Sequence, residues 1–128
     1  MQVAGEQYAL AVDHVIEVVV LDLVSPVPGA PASVLGLCNL RGEVVSVLDL
    51  ALVLGLPGER RPARVVVASH SGRRAGLAID EVLDVMPLPE RSPEPGFGCV
   101  HETVVVDGVL LGVLDIGAVL DAATGVAV

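Results

Sequence analysis

The chain has 128 residues, of which 53% are hydrophobic and only 2% aromatic, enough for one domain with an aliphatic core. A net charge of −9 argues against non-specific binding to nucleic acid or to anionic lipid, because both require a cationic surface. All seven basic residues are arginines, which excludes a lysine nucleophile. No apolar run reaches the ~20 residues of a membrane span, and no signal-peptide core is present, so we expect a cytoplasmic protein without membrane insertion.

The first part of the chain predicts short strands that are interrupted by a proline-rich bend. A strand ends at Asp13, and a second strand follows over 15–20. The segment 26–31 carries three prolines, which lack the N–H that a sheet ladder needs, so the strands must stop there. After the bend, the pattern predicts a strand over 36–40, a turn at Arg41-Gly42-Glu43 and a strand over 44–48.

A short helix is predicted to follow the last of these strands. Asp49 stands where an N-cap belongs, with its carboxylate near free backbone N–H groups. Leu50, Val53 and Leu54 then form one apolar face, and Gly55 is a suitable stop. The spacing therefore predicts one to two turns of helix that pack on the sheet.

The second part of the chain repeats this order after an exposed linker predicted at Gly58–Pro62. Asp107-Gly108 lies between two β-rich runs and indicates a two-residue hairpin, because both turn positions favour positive φ. Asp115 takes the place of Asp49 as the cap of a second helix. The other predicted elements are strands over 64–70, 82–86, 99–106 and 109–114, a strand that ends at Asp80, and a proline-rich bend from Pro87 to Pro95.

An internal duplication underlies this similarity. Leu10–Val18 aligns with Leu77–Val85 at an offset of 67 residues, and Gly42–Leu50 aligns with Gly108–Ile116 at an offset of 66. Two matches in the same order at nearly the same offset indicate two similar halves within one domain. We place these pseudo-repeat subdomains at about 1–63 and 64–128, and short strands with tight turns favour small barrels.

Catalytic and metal-binding patterns are missing from the sequence. The signatures GxSxG, GxGxxG and HExxH do not occur. His14, His70 and His101 are scattered, and none has a potential metal ligand at i+2 or i+4. Cys38 and Cys99 stand alone in apolar surroundings, which is typical of small buried hydrophobic residues. We therefore predict no catalytic residue, no cofactor and no metal.

Several segments resemble one known family. Gly36–Gly42 reads G-x-x-N-L-R-G, which is similar to the signature of the CheW domain. Val15–Val18, Val44–Leu50, Gly76–Val82 and Gly112–Ile116 resemble other conserved stretches of that family, although Ser46 stands where the family usually has proline. The matches run in order from about residue 6 to residue 121, which is nearly the whole chain.

The resemblance implies an all-β fold of two SH3-like five-stranded barrels with short helices and a shared apolar interface. It also implies an adaptor that links the cytoplasmic tip of a chemoreceptor to the regulatory domain of a CheA-type histidine kinase, and that can pair with other CheW domains or with itself. The positions that match the family's receptor-facing groove are Val15, Glu17, Gly36, Asn39, Arg41 and Gly42.

Arg41 has two interpretations on chemical grounds. Its guanidinium can form paired hydrogen bonds with a carboxylate or with helix carbonyls of a partner. It can equally form a structural pair with a nearby acid such as Glu17. The two roles are compatible, and the sequence leaves both open.

Two other functions remain open from the sequence. The first is an accessory CheW-like protein, of the type found in gliding-motility systems, which binds the receptor but not the kinase. The second is a small-ligand sensor or enzyme on a double barrel, which would need convergent polar groups in a pocket.

The N-terminus departs from the duplication. The strand predicted at Arg64–His70 should have a counterpart in the first half. The repeat offset of 67 residues places the start of that counterpart before residue 1, so only Gln2–Ala4 remain to form the strand. We therefore expect a first barrel that lacks most of its opening strand, is more mobile than the second and self-associates through the exposed edge.

Overall fold

The computed structural model describes residues 1–21, 24–57, 62–85, 94–95 and 98–124. Most of the regular structure in these ranges is β-strand, which confirms the predicted all-β class with short helices. The strands are β1 (Gln2–Val3), β2 (Glu6–Ala9), β3 (Val15–Val20), β4 (Val34–Leu40), β5 (Glu43–Asp49), β6 (Arg64–His70), β7 (Arg73–Ile79), β8 (Glu94–Pro95), β9 (Val100–Val106) and β10 (Val109–Leu114). The helices are α1 (Leu50–Val53) and α2 (Ile116–Thr124), and a 3₁₀ turn covers Val12–His14.

The strands form two five-stranded sheets, as expected, but the sheets do not coincide with the two halves of the chain. Sheet one has the order β3-β6-β7-β5-β4, and sheet two has the order β1-β2-β10-β9-β8. Each half therefore donates its first hairpin to the other sheet. The pseudo-repeats placed at about 1–63 and 64–128 therefore do not correspond one to one to the two sheets. A reciprocal exchange of equivalent hairpins leaves the local sequence pattern unchanged, so the sequence does not reveal it.

The duplication reappears in the strand register. In sheet one, Val47 of β5 pairs in parallel with Gly76 of β7. In sheet two, Val113 of β10 pairs in parallel with Ala9 of β2. These two pairs are related by the same offsets of 66 and 67 residues that relate the sequence repeats, so the two sheets are built alike.

The N-terminal strand is as short as predicted, yet it lies in the other sheet. Gln2 and Val3 pair with β2, and Gln2 also forms a bridge with Glu81. The terminal ammonium of Met1 donates to the Tyr8 carbonyl at 2.8 Å. The short strand β1 therefore belongs to sheet two, whereas sheet one contains the full-length β6. This corrects the expectation that the barrel around β3, β4 and β5 is incomplete.

Two apolar cores account for the long valine runs. Alternate residues of a strand point to opposite faces, and β6 buries both faces. Val65 and Val67 pack inside sheet one, whereas Val66 and Ala68 pack into a larger core between the two sheets. Full burial of one such aliphatic side chain contributes about 1.5–3 kcal/mol. The larger core also contains Val3, Leu48, Leu50, Leu77, Ile79, Leu114, Ile116, Val119 and Leu120.

The helix caps are confirmed. Oδ1 of Asp49 accepts a hydrogen bond from the Leu52 N–H at 3.4 Å. Oδ1 of Asp115 accepts one from the Ala118 N–H at 3.2 Å. Gly55 ends the first helix with a φ of 70°, a conformation that glycine adopts without the cost of a Cβ. Both predicted aspartates therefore act as N-caps.

Other predicted elements differ in detail. Asp107 and Gly108 form the expected two-residue turn, but the turn before β5 contains only Arg41 and Gly42, since Glu43 already pairs with Leu40. Asp13 lies in the 3₁₀ turn rather than at a strand end. The strand predicted over 82–86 is not seen in 82–85. Residue 86, the linker residues 58–61 and most of the bend at 87–95 lie outside the described residues.

Candidate functional site

The chain segment that follows β3 packs against β4 at the edge of sheet one, and Gly36 permits this close approach. The chain beyond β3 returns to β4 through Ser25, whose N–H and carbonyl exchange 2.8 Å hydrogen bonds with Leu37. A Cβ at Gly36 would lie 2.2 Å from the Ser25 carbonyl oxygen, so no other residue fits there without movement. Gly36 is buried, so little of its surface is open to a partner.

The β4–β5 hairpin ends in a rigid turn. Arg41 and Gly42 have φ values of 52° and 80°, which is typical of a two-residue hairpin turn. Oδ1 of Asn39 accepts a hydrogen bond from the Gly42 N–H at 3.1 Å. Because this bond joins the end of β4 to the turn, it fixes the backbone on which the Arg41 side chain is mounted.

Arg41 contacts Glu17 across the closed barrel. Its Nη2 lies 3.4 Å from Oε2 of Glu17, which confirms that Glu17 is the nearby acid. The Arg41 side chain is 86% exposed, whereas that of Glu17 is 26% exposed. An exposed pair of this kind contributes about 0–1 kcal/mol. The contact orients the guanidinium while leaving most of its donors directed to solvent, where a partner can reach them.

Val15 lies in a second feature, an apolar groove between the two sheets. The groove has a volume of about 380 Å³, and Asp84 is among its lining residues. The strand β3 connects this groove to Glu17, because Val15 and Glu17 are two residues apart, or about 7 Å along a strand. An irregularity in the register at Ile16 separates them. The apolar residues that line the groove include Tyr8, Leu10, Val15, Val18, Val66 and Leu83.

The structure thus divides the six predicted residues among three roles. Asn39, Arg41 and Gly42 form the hairpin tip with Glu17 beside it. Val15 lines the groove, and Gly36 supports the closure of sheet one. Sequence reasoning missed the rest of the groove lining. In particular, Val82–Val85 line the groove but were assigned to a strand. Apolar residues that follow the end of β7 without alternation would have been the signal.

The histidines are less scattered than the sequence suggests. The rings of His14 and His70 meet edge to face with centroids 5.3 Å apart, and Nδ1 of His14 lies 3.3 Å from the Ser69 carbonyl oxygen. The fold therefore brings together two of the three histidines that are scattered along the sequence. In the described ranges, no three His, Cys, Asp or Glu side chains are placed to hold a metal ion.

Both cysteines are free thiols. Cys38 is buried and Cys99 is half-buried. Burial, and secondarily the negative charge of Asp115, raises the pKa of the Cys99 thiol. A raised pKa lowers the thiolate fraction, which is the nucleophilic form. Cys99 therefore lacks the lowered pKa that activates a nucleophilic thiol. Across the described ranges, no helix is long and apolar enough to span a membrane.

Comparison with known proteins agrees with this architecture. The model of the CheW-like domain family matches residues 1–124. The chain is 36% identical to the chemotaxis protein CheW of Rhizobium meliloti over 67% of the chain and 58% of that protein, so it matches little more than half of that relative's length. It is 28% identical to the Thermotoga maritima CheW over 96% of the chain and 86% of that protein.

A solved structure shows the same fold. The scaffolding protein TtCheW from Thermoanaerobacter tengcongensis superposes with a TM-score of 0.79 at 30% identity, over 89% of this chain and 84% of that one. The agreement supports two SH3-like barrels. On the extent of the family match and this structural similarity, the chain belongs to the CheW-like domain family.

Proposed function

We propose that the chain is a cytoplasmic chemotaxis coupling adaptor that binds the tip of a chemoreceptor and the regulatory domain of a CheA-type histidine kinase, and that it catalyses no reaction. One observation carries the proposal. An exposed guanidinium on a rigid hairpin tip lies one short stretch of strand away from an apolar groove. This combination suits the recognition of a helical protein partner.

The groove accommodates the apolar face of an amphipathic helix. Helices of this kind place side chains at i, i+3, i+4 and i+7 into such grooves. Val15, Val18 and Val66 supply apolar contacts. Arg41 then reaches a carboxylate, or the free carbonyls at the end of that helix, with its paired donors. The apolar contacts provide affinity, and Arg41 sets the orientation of the helix.

A different surface suits the kinase. Val105 and Leu110 are directly opposite each other on β9 and β10, and the two residues are 61% and 63% exposed. An apolar cross-strand pair on an outer surface is typical of a protein-binding patch. We assign this patch to the kinase regulatory domain, and it also suits a second CheW domain or a second copy of this chain. This patch lies on β9 and β10, which correspond to β4 and β5 in the internal repeat.

Binding measurements with each partner separately test the proposal. We expect Arg41→Glu to weaken binding of a receptor-tip fragment by roughly 1–3 kcal/mol, the range for a charge-assisted hydrogen bond lost at an interface. The same variant should leave kinase binding and the urea midpoint unchanged. Leu110→Glu is the matched control, and it should weaken kinase binding while leaving receptor binding intact. Isothermal titration calorimetry of the wild type and the two variants measures binding of each partner, and urea unfolding measures the midpoint.

Several outcomes would contradict the proposal. Failure of the wild-type chain to bind the receptor tip would refute the adaptor function. Binding to the receptor tip but not to the kinase domain would establish the accessory adaptor instead. A variant that loses both partners, or that unfolds, would show that the residue acts through the fold.

A further inference from the structure

The β4–β5 hairpin projects beyond the backbone pairing that holds it to the rest of sheet one. Pairing between β5 and β7 covers Val47–Asp49 and does not reach Glu43–Ser46. On the other side, the bridge between Ser25 and Leu37 is the described contact of β4 with the returning chain. The tip is therefore fastened to its neighbours by side chains rather than by a ladder of backbone hydrogen bonds.

Two ion pairs brace the tip from opposite sides. Arg41 contacts Glu17 of β3 on one side of the turn. Arg74 of β7 contacts Glu43 on the other, through its Nη1 and the Oε2 of Glu43. Glu43 follows Gly42 directly, so a force on the Glu43 side chain acts on the turn that carries Arg41.

We propose that Arg74 is a positioning residue for the receptor site: it holds Glu43, and through it the Arg41-Gly42 turn, in the geometry that binds the receptor. The inference rests on the proposed receptor-binding function of Arg41. Arg74 comes from the second half of the chain, whereas the hairpin tip that carries Arg41 comes from the first. The exchange of hairpins between the sheets brings the two together.

The energetics separate positioning from stability. The Arg74 and Glu43 side chains are about half exposed, so their pair contributes little to the folding free energy. The ion pair affects receptor affinity in a different way. A turn that samples several orientations binds the receptor in proportion to the fraction of molecules in the orientation that can bind. A small loss of order at the tip thus lowers receptor affinity without a matching loss of stability.

A double-mutant cycle tests this role. We expect Arg74→Ala and Glu43→Ala each to weaken binding of a receptor-tip fragment roughly fivefold, the effect of losing an exposed ion pair. The double variant should also weaken binding roughly fivefold, because the second change removes nothing further. Arg74→Lys should retain most of the affinity. Arg64→Ala is the matched control, since Arg64 is an exposed arginine at the far end of the β6–β7 hairpin whose guanidinium bonds to the Ala63 carbonyl.

A second measurement works without the receptor. Hydrogen exchange of the Gly42 amide, which bonds to Asn39, reports the order of the turn. Arg74→Ala should speed this exchange severalfold while leaving the exchange of the core amides of β6 unchanged. This arm remains informative if the wild type does not bind the receptor tip, so failure of the proposed function and failure of the positioning role are distinguishable.

The results that would overturn the inference are specific. Additive losses of affinity in the cycle would show that the two residues act independently. A loss for Arg74→Ala with unchanged exchange at Gly42 would mean that Arg74 contacts the receptor itself. Unchanged affinity and exchange, or a lowered urea midpoint that accounts for the loss, would equally rule out a positioning role.

Discussion

Replacement of Gly36 by alanine should destabilise the protein more than the same replacement at Gly42, the turn glycine of the same signature. A Cβ at residue 36 would lie 2.2 Å from the Ser25 carbonyl oxygen and 2.7 Å from its carbon, both backbone atoms that cannot rotate away. Ser25 and Leu37 would have to separate, which breaks two hydrogen bonds of 2.8 Å. Two such bonds contribute about 1–3 kcal/mol together, and the overpacking adds about 1–3 kcal/mol. We expect the free energy of unfolding to fall by about 2–6 kcal/mol in total.

Gly42→Ala is the matched control. Nothing lies within 4 Å of a Cβ placed at Gly42, so only its φ of 80° opposes the change, at about 1–2 kcal/mol. Urea unfolding followed by circular dichroism, with m-values compared, measures both variants. Equal costs, or a larger cost for Gly42→Ala, would refute the argument that Gly36 exists to let Ser25 close the barrel.

Two other predictions concern the caps and the single tyrosine. Asp115→Ala should lower the free energy of unfolding by about 1 kcal/mol because the N-cap hydrogen bond is lost. Asp49→Ala should lower it more, because Asp49 is buried. Thermal unfolding of the two variants shows which is less stable. Burial, followed by the charge of Glu6, raises the pKa of Tyr8. Absorbance titration should therefore place the midpoint of Tyr8 ionisation above that of the unfolded chain. The contribution of Tyr8 to the free energy of unfolding is fully present at neutral pH, and it should be lost as the pH rises from the ordinary tyrosine pKa through the raised pKa of the folded state. A midpoint equal to that of the unfolded chain would contradict this.

The hairpin exchange has a mechanical consequence. The 3₁₀ turn at Val12–His14 carries the chain from sheet two into sheet one, and the His14 contact with Ser69 ties that crossing to β6. The groove that contains Val15 lies at this crossing. The groove is lined by residues of both sheets, so a change in the relative position of the sheets would alter its shape.

The geometry of the β4–β5 hairpin tip could be predicted from local residues, whereas its role in receptor binding stays a prediction. Asn39, Arg41 and Gly42 could be placed together because turn chemistry acts over a few residues, and the Asn39 bond to Gly42 spans only three positions. Glu17 could be named as the partner of Arg41 because few acids precede it, and the contact is seen. Arg74 could not be found in this way, since nothing local connects residue 74 to the hairpin at 41–43.

The sequence by itself determined the short-range features of this protein. The alternation of valines, the paired turn residues and the capping aspartates at Asp49 and Asp115 specified most strands and both helices, because these interactions involve neighbouring residues. The repeat also established two equivalent units. Only the tertiary structure decided which hairpin joins which sheet: β2 and β7 have equivalent patterns, and each suits either sheet locally. That choice depends on long-range packing, in which β6 buries Val65 inside sheet one and Val66 between the sheets.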